Sequence, residues 1–162
     1  HYEKVEGVAL SFDGKANRLG GLIRANLEGA MRGLGVLPVF AGWDGARGRI
    51  VSYDVVGGHY AERDYYAVGS GAPFARGSLK KLHRPDLDAI GAATVLVQAL
   101  VDAADDDSAT AGPDAVRGLY PIVCTVEAGG VRRWADAEVE ALASRVLEAR
   151  RGRPDGPGAP LL

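Results

Sequence analysis

At 162 residues, 47% of them hydrophobic and 25% charged, the chain is long enough for one domain with a sizeable core and too short for two to be expected. Its net charge is −2, with both signs mixed along the chain, so there is no electrostatic case for nucleic acid or an anionic membrane as partner. Cys124, the single cysteine, excludes an intrachain disulfide and a cysteine-built zinc site.

The opening "HYEKVEG" is polar, begins without methionine and reads as the end of a helix. The expectation is a chain that has been processed or that lacks an N-terminal portion. No apolar run approaches the ~20 residues needed to span a bilayer, and no signal-peptide pattern opens the chain. A cytoplasmic protein is expected.

"SFDGKANRLGGLIRANLEGAMRGLG" has apolar residues at helical spacing (Leu19, Ile23, Leu27, Ala30, Met31 and Leu34) with arginines and Glu28 between them. Ser11 or Asp13 is placed to cap its start, and Gly33 or Gly35 to end it. "VLPVFAGW", "RIVSYDVV" and "HYAERDYYAVGS" then read as extended runs. Asp44-Gly45 and Gly57-Gly58 are the turns between them, which predicts an antiparallel meander.

"PFARGSLKKLH" reads as a short helix with Pro73 in its first turn, closed by Pro85. A longer helix follows from about Asp86, with Leu87, Ile90, Thr94, Val97, Leu100, Val101 and Ala104 as its expected buried face. "YPIVCTVEA" and "VRRWA" around Gly129-Gly130 predict a hairpin, with Cys124 expected as a small buried side chain. The last helix, from about Asp136 to Arg151, has acids in its first turns and Arg150 and Arg151 in its last. Its basic end is expected to be solvated. Residues 152–162 have too little periodic apolar content to pack and are expected to be a disordered tail. The class is α+β, with antiparallel sheets and helices outside them.

Common catalytic signatures are missing: there is no HExxH, P-loop, GxSxG or CxxC, and His1, His59 and His83 are scattered. Two stretches remain. "VGSGAPF" places Ser70 between two glycines at a strand–helix junction, where the glycines alone would explain a tight turn. "DAADDDSATAGPD" lacks the alternating acids, central glycine and closing glutamate of an EF-hand calcium loop. By spacing alone a solvated helix end is the leading reading. A loop that folds back at Pro113 would instead bring Asp107 and Thr110 to one spot.

In their order, "HYEKVEG", "DGKANRL", "AGWD", "GRIVSYDVVGG", "AVGSG" and "DAADDDSATAGPD" resemble the β subunits of the 20S proteasome, most of all the actinobacterial type, from His1 to about Arg151. The resemblance implies an N-terminal-nucleophile hydrolase fold, a four-layer αββα sandwich with antiparallel sheets that here lacks its first strands. Residues 1–151 would be the C-terminal portion of that domain. It also implies a threonine-type endopeptidase in which an N-terminal threonine, a lysine and a first aspartate do the chemistry, none of them in this span. On the same resemblance, Ser70 lies beside the threonine's amino group, and Asp107 and Thr110 form the Asp-x-x-Ser/Thr pair that orients it. Ala111 stands where the family commonly has a glycine. No cofactor or metal is expected. The implied partners are identical β subunits in a ring, proteasome α subunits, an ATPase regulator ring and protein substrates. The alternative is a non-catalytic scaffold or ring-assembly subunit with the same fold.

Overall fold

The computed structural model describes residues 2–159, with side chains from residue 4 onward. The chain forms two compact units. One is the chain up to Tyr66 together with Val126–Gly130; the other is Ala67–Thr125 and the chain from Val131. Among the described residues, no helix is long and apolar enough to cross a membrane.

The first unit opens with α1 (Tyr2–Glu6) and α2 (Phe12–Ala25). Ser11 caps α2: its side-chain oxygen accepts the Gly14 N–H at 3.0 Å, a contact worth about 1 kcal/mol at such positions. The expected single helix does not run on to Gly33. Asn26 donates its side-chain amide to the Leu22 carbonyl at 2.8 Å, competing with the main-chain ladder, and α2 stops there. One further turn, α3 (Leu27–Gly29), leads into a π-type turn at Ala30–Leu34. That break turns the apolar stripe away from the core, and Met31 and Leu34 are 81% and 80% exposed instead of buried.

The meander forms as its turn residues predict: β1 (Val39–Trp43), β2 (Gly48–Tyr53) and β3 (His59–Glu62), all antiparallel, with Phe40 opposite Val51 and Tyr53 opposite His59. Phe12, Ala16, Val51 and Tyr53 make the core of this unit. Phe12 stacks on Phe40 with ring centroids 4.9 Å apart, and the Arg49 guanidinium lies over the Phe12 ring, 4.4 Å from its centroid. The Tyr53 hydroxyl donates to the Ala16 carbonyl at 3.0 Å, so α2 is held to the sheet by a hydrogen bond as well as by apolar contact. Gly20, which weakens a helix by roughly 1 kcal/mol relative to alanine, lets the β2–β3 turn approach. A Cβ there would stand 2.7 Å from the Gly57 carbonyl oxygen.

The second unit contains α4 (Ala72–Leu82), α5 (Ala89–Asp106), the hairpin β4 (Cys124–Glu127) and β5 (Gly130–Arg133), whose tip belongs to the first unit, and α6 (Asp136–Gly152). Asp88 caps α5 by accepting the Gly91 N–H at 2.7 Å. Ala93, Val97, Val101, Trp134, Val139, Leu142, Ala143 and Val146 form the core. Ala93, Val97 and Val101 are buried along one side of α5, and the expected face is corrected at its start: Ile90, one turn before Ala93 on the same side, is 56% exposed. Cys124 is also corrected, from buried to exposed. Strand alternation sends Val123 against the core and its neighbour outward. At the α6 start, Glu138 accepts the Ala135 N–H at 2.8 Å and pairs with Arg132, and both contacts hold its carboxyl below the usual glutamate range. The end of α6 departs from a wholly solvated one, because Arg150 turns inward to pair with Asp102 of α5.

Candidate functional site

The site lies wholly in the second unit, where the start of α4 meets the end of α5. Two local chain reversals build it. After Val68 the chain turns at Gly69 and enters α4, with the Ala72 N–H bonded to the Gly69 carbonyl at 3.1 Å. At the other end α5 finishes at Asp106, and Asp107 is its C-cap, with its N–H on the Ala103 carbonyl at 2.9 Å. The backbone folds over at once, with the Thr110 N–H bonded to the Asp107 carbonyl at 3.0 Å.

These reversals bring together Ser70, Asp107 and Thr110. The Ser70 hydroxyl donates to Asp107 Oδ2 at 2.6 Å, and the Thr110 hydroxyl donates to the same oxygen at 2.5 Å. One carboxylate oxygen therefore holds two hydroxyl protons. Asp107 Oδ1 takes a longer contact from the Ala109 N–H at 3.4 Å. Ser70 is exposed, while Asp107 and Thr110 are half-buried. Asp105 and Asp106 are exposed at the helix end, as a solvated terminus requires.

The charge state of the cluster follows from its donors. Ser70 first and Thr110 second hold the Asp107 carboxyl below the ordinary aspartate value, against partial desolvation. Folding lowers this pKa, so its stabilisation is complete above the unfolded value of about 3.9 and is lost as pH falls through the lower folded value. The stability difference between the natural chain and Asp107→Asn is expected to be flat from about pH 5 to 8 and to shrink below about pH 4. Denaturant unfolding across that range measures it, and a change centred near neutrality would contradict an anionic Asp107.

The chemical consequence lies in the serine oxygen. With its proton committed to Asp107, Ser70 Oγ presents its lone pairs to the outside as an oriented acceptor. Such an acceptor, backed by a carboxylate, suits an amine or ammonium N–H.

Gly71 is the residue that spacing did not single out. It is buried, and a Cβ built there would stand 2.5 Å from Thr110 Oγ1, 3.1 Å from the Ala103 Cβ and 3.3 Å from Asp107 Oδ2. The "GSG" thus does both things considered for it: Gly69, at φ 107°, makes the turn, and Gly71 leaves room for the network. The only signal in the sequence was the second glycine itself, which a turn already explained. Ala111 is exposed, whereas a Cβ at Gly112 would meet the Ala104 side chain at 3.1 Å. The position that needs a small residue is thus the one that kept its glycine. Of the three histidines, His59 opens β3 and His83 caps the end of α4, well separated in sequence from this cluster, and His1 lies outside the described residues.

A model of the family described as "Proteasome subunit" matches residues 1–116. The chain is also similar to proteasome subunit beta 2 of Thermomonospora curvata, at 58% identity over 99% of this chain. It spans 58% of the length of that relative.

Proposed function

We propose, since this chain belongs to the proteasome subunit family, that it is the C-terminal portion of a core β subunit whose full-length form is a threonine-type endopeptidase. The observation that carries this reading is the pair of hydroxyl hydrogen bonds, from Ser70 and Thr110, converging on Asp107. In this reading the nucleophilic threonine, with its lysine and first aspartate, comes from chain outside these 162 residues. Its amino group, which takes the hydroxyl proton as the threonine attacks a peptide carbonyl, sits against Ser70 Oγ. Asp107 keeps Ser70 in its acceptor orientation and supports the positive charge that develops on the amine. Thr110 fixes Asp107. All three are positioning residues, and water later hydrolyses the acyl-enzyme.

Residues 1–151 are then the later part of a four-layer N-terminal-nucleophile hydrolase domain. The mixed helices and antiparallel strands are consistent with that class. The partners are identical β subunits in a ring, α subunits and an ATPase regulator ring that delivers protein substrates, in the cytoplasm. Apolar side chains left open on the described surface, such as Val36 at 75% and Val116 at 98%, support a need for further cover.

The test uses the full-length protein and a peptide electrophile that adds to an N-terminal threonine. Self-processing, hydrolysis of a fluorogenic peptide and a mass adduct on the new terminal threonine are expected together. The 162-residue chain alone is expected to hydrolyse no peptide. An adduct on a residue of this span, or turnover by the span alone, would overturn the reading. Assembly without hydrolysis or adduct would leave the scaffold alternative.

A further inference from the structure

A second feature of the Ala67–Thr125 and Val131-onward unit is independent of the Ser70–Asp107–Thr110 cluster. Between α5, α6 and the turn that follows α6 lies a cavity of about 300 Å³. Its floor is apolar: Leu142 and Val146 are 1% and 5% exposed and close it from the α6 side, and Ile90 projects over it from α5. Ile90 is in the first turn of α5, in line with its core stripe, and is left exposed there.

Its rim is cationic. Arg145, Arg150 and Arg153 line it, and no acidic side chain does. Arg150 is neutralised by Asp102 and donates to the Pro154 carbonyl at 2.8 Å, which pins the turn over one end of the cavity. Its Nε–H is buried and has no acceptor among the described residues. Neither Arg145 nor Arg153 has a carboxylate partner among the described residues. Two positive charges therefore stand over an apolar floor. The carboxyl end of α6 opposes them with only about half a negative charge, so the field at the mouth favours an anion.

We infer that this cavity binds a small aliphatic carboxylate, its chain on Leu142, Val146 and Ile90 and its carboxylate between Arg145 and Arg153. Charge complementarity selects the head group, since guanidinium forks match carboxylate geometry. The volume selects the length: at roughly 30 Å³ per heavy atom, taken from the liquid volume of water, the space holds about ten heavy atoms, the size of octanoate. Mixed apolar walls with a few convergent polar groups are the usual make-up of small-molecule sites.

Calorimetric titration of octanoate into the full-length protein tests this, with octanamide as the neutral match and methyl NMR to locate the ligand. Saturable binding of one octanoate per chain is expected, with shifts at the Ile90, Leu142 and Val146 methyls. Octanamide should bind about tenfold more weakly, as should octanoate to Arg145→Gln and Arg153→Gln, the ratio for loss of one charge-assisted hydrogen bond. Both arginines are at the surface, and unchanged melting of the ligand-free variants checks that the fold is intact. Absence of saturable binding, equal affinity for octanamide, methyl shifts elsewhere, or undiminished affinity in both variants would each overturn the inference.

Discussion

Asp107→Asn in the full-length protein is expected to lower peptide hydrolysis roughly 100-fold, the upper end for residues that orient a reacting group. On the proposed reading, ring assembly of the full-length protein should persist. Asp107 Oδ2 accepts from Ser70 and Thr110 at 2.6 and 2.5 Å. An asparagine keeps the shape but loses the charge, and its amide end carries donors where the natural residue has only acceptors. If the amide faces Ser70, the serine must accept from it, and the lone pair meant for the amine is consumed. If the carbonyl faces Ser70, the hydroxyl is still held, but no anion supports the developing ammonium. Either way self-processing is expected to fall with hydrolysis, because in the proposed mechanism both need the same amine to take a proton. Assembly survives because the cluster lies at two helix ends, outside the buried core of Val97, Val139 and Leu142. Turnover of a fluorogenic peptide beside native mass of the particle measures both effects. Near-normal turnover in an assembled variant would remove Asp107 from the network.

Gly71→Ala is expected to act on the same network without replacing any of its polar groups. The added carbon would stand 2.5 Å from Thr110 Oγ1, a distance that two atoms in contact do not keep. Thr110 is β-branched and is held by its own backbone bond to Asp107, so it does not swing aside cheaply. The Ala103 Cβ at 3.1 Å blocks retreat in the other direction. Relief must come from separating the Asp107–Thr110 loop from the start of α4, at a cost of about 1–3 kcal/mol. Hydrolysis should fall about tenfold or more as the Ser70–Asp107 bond lengthens. Ala111→Gly is the control, since Ala111 is exposed and its Cβ supports nothing in the network. Its turnover should stay within about twofold of the natural protein and its stability within about 0.5 kcal/mol. A Gly71→Ala protein with unchanged stability and turnover would show that the loop yields freely.

Much of the fold was legible because local signals agreed with one another. Asp44-Gly45 and Gly57-Gly58 fall between the strands they were expected to join, and Pro73 sits in the first turn of α4. The buried face of α6, with Val139, Leu142, Ala143 and Val146, matches its sequence period. The misses share a cause: a local period, helical or strand, fixes spacing but not which residues a neighbouring segment covers. Met31 and Leu34 kept their spacing, yet a side-chain bond from Asn26 broke the helix and turned them to the surface. Ile90 kept the period of α5 but sits in its exposed first turn, and Cys124 lay one residue out of phase with Val123.

The candidate site divides in the same way. Asp107 and Thr110 lie three residues apart, so a single chain reversal brings them together, a possibility that spacing offered behind the solvated helix end. Ser70 is 37 residues from Asp107, and spacing alone offered no reason to join them; the resemblance did. By itself the sequence determined the order of the main elements and the turns between them, because each depends on residues within a few positions of one another. Only the tertiary structure decided which apolar residues are buried, why Gly71 must have no side chain, and that Arg145 and Arg153 face an apolar cavity. Those depend on distances between segments far apart in the chain, which packing sets and local pattern does not.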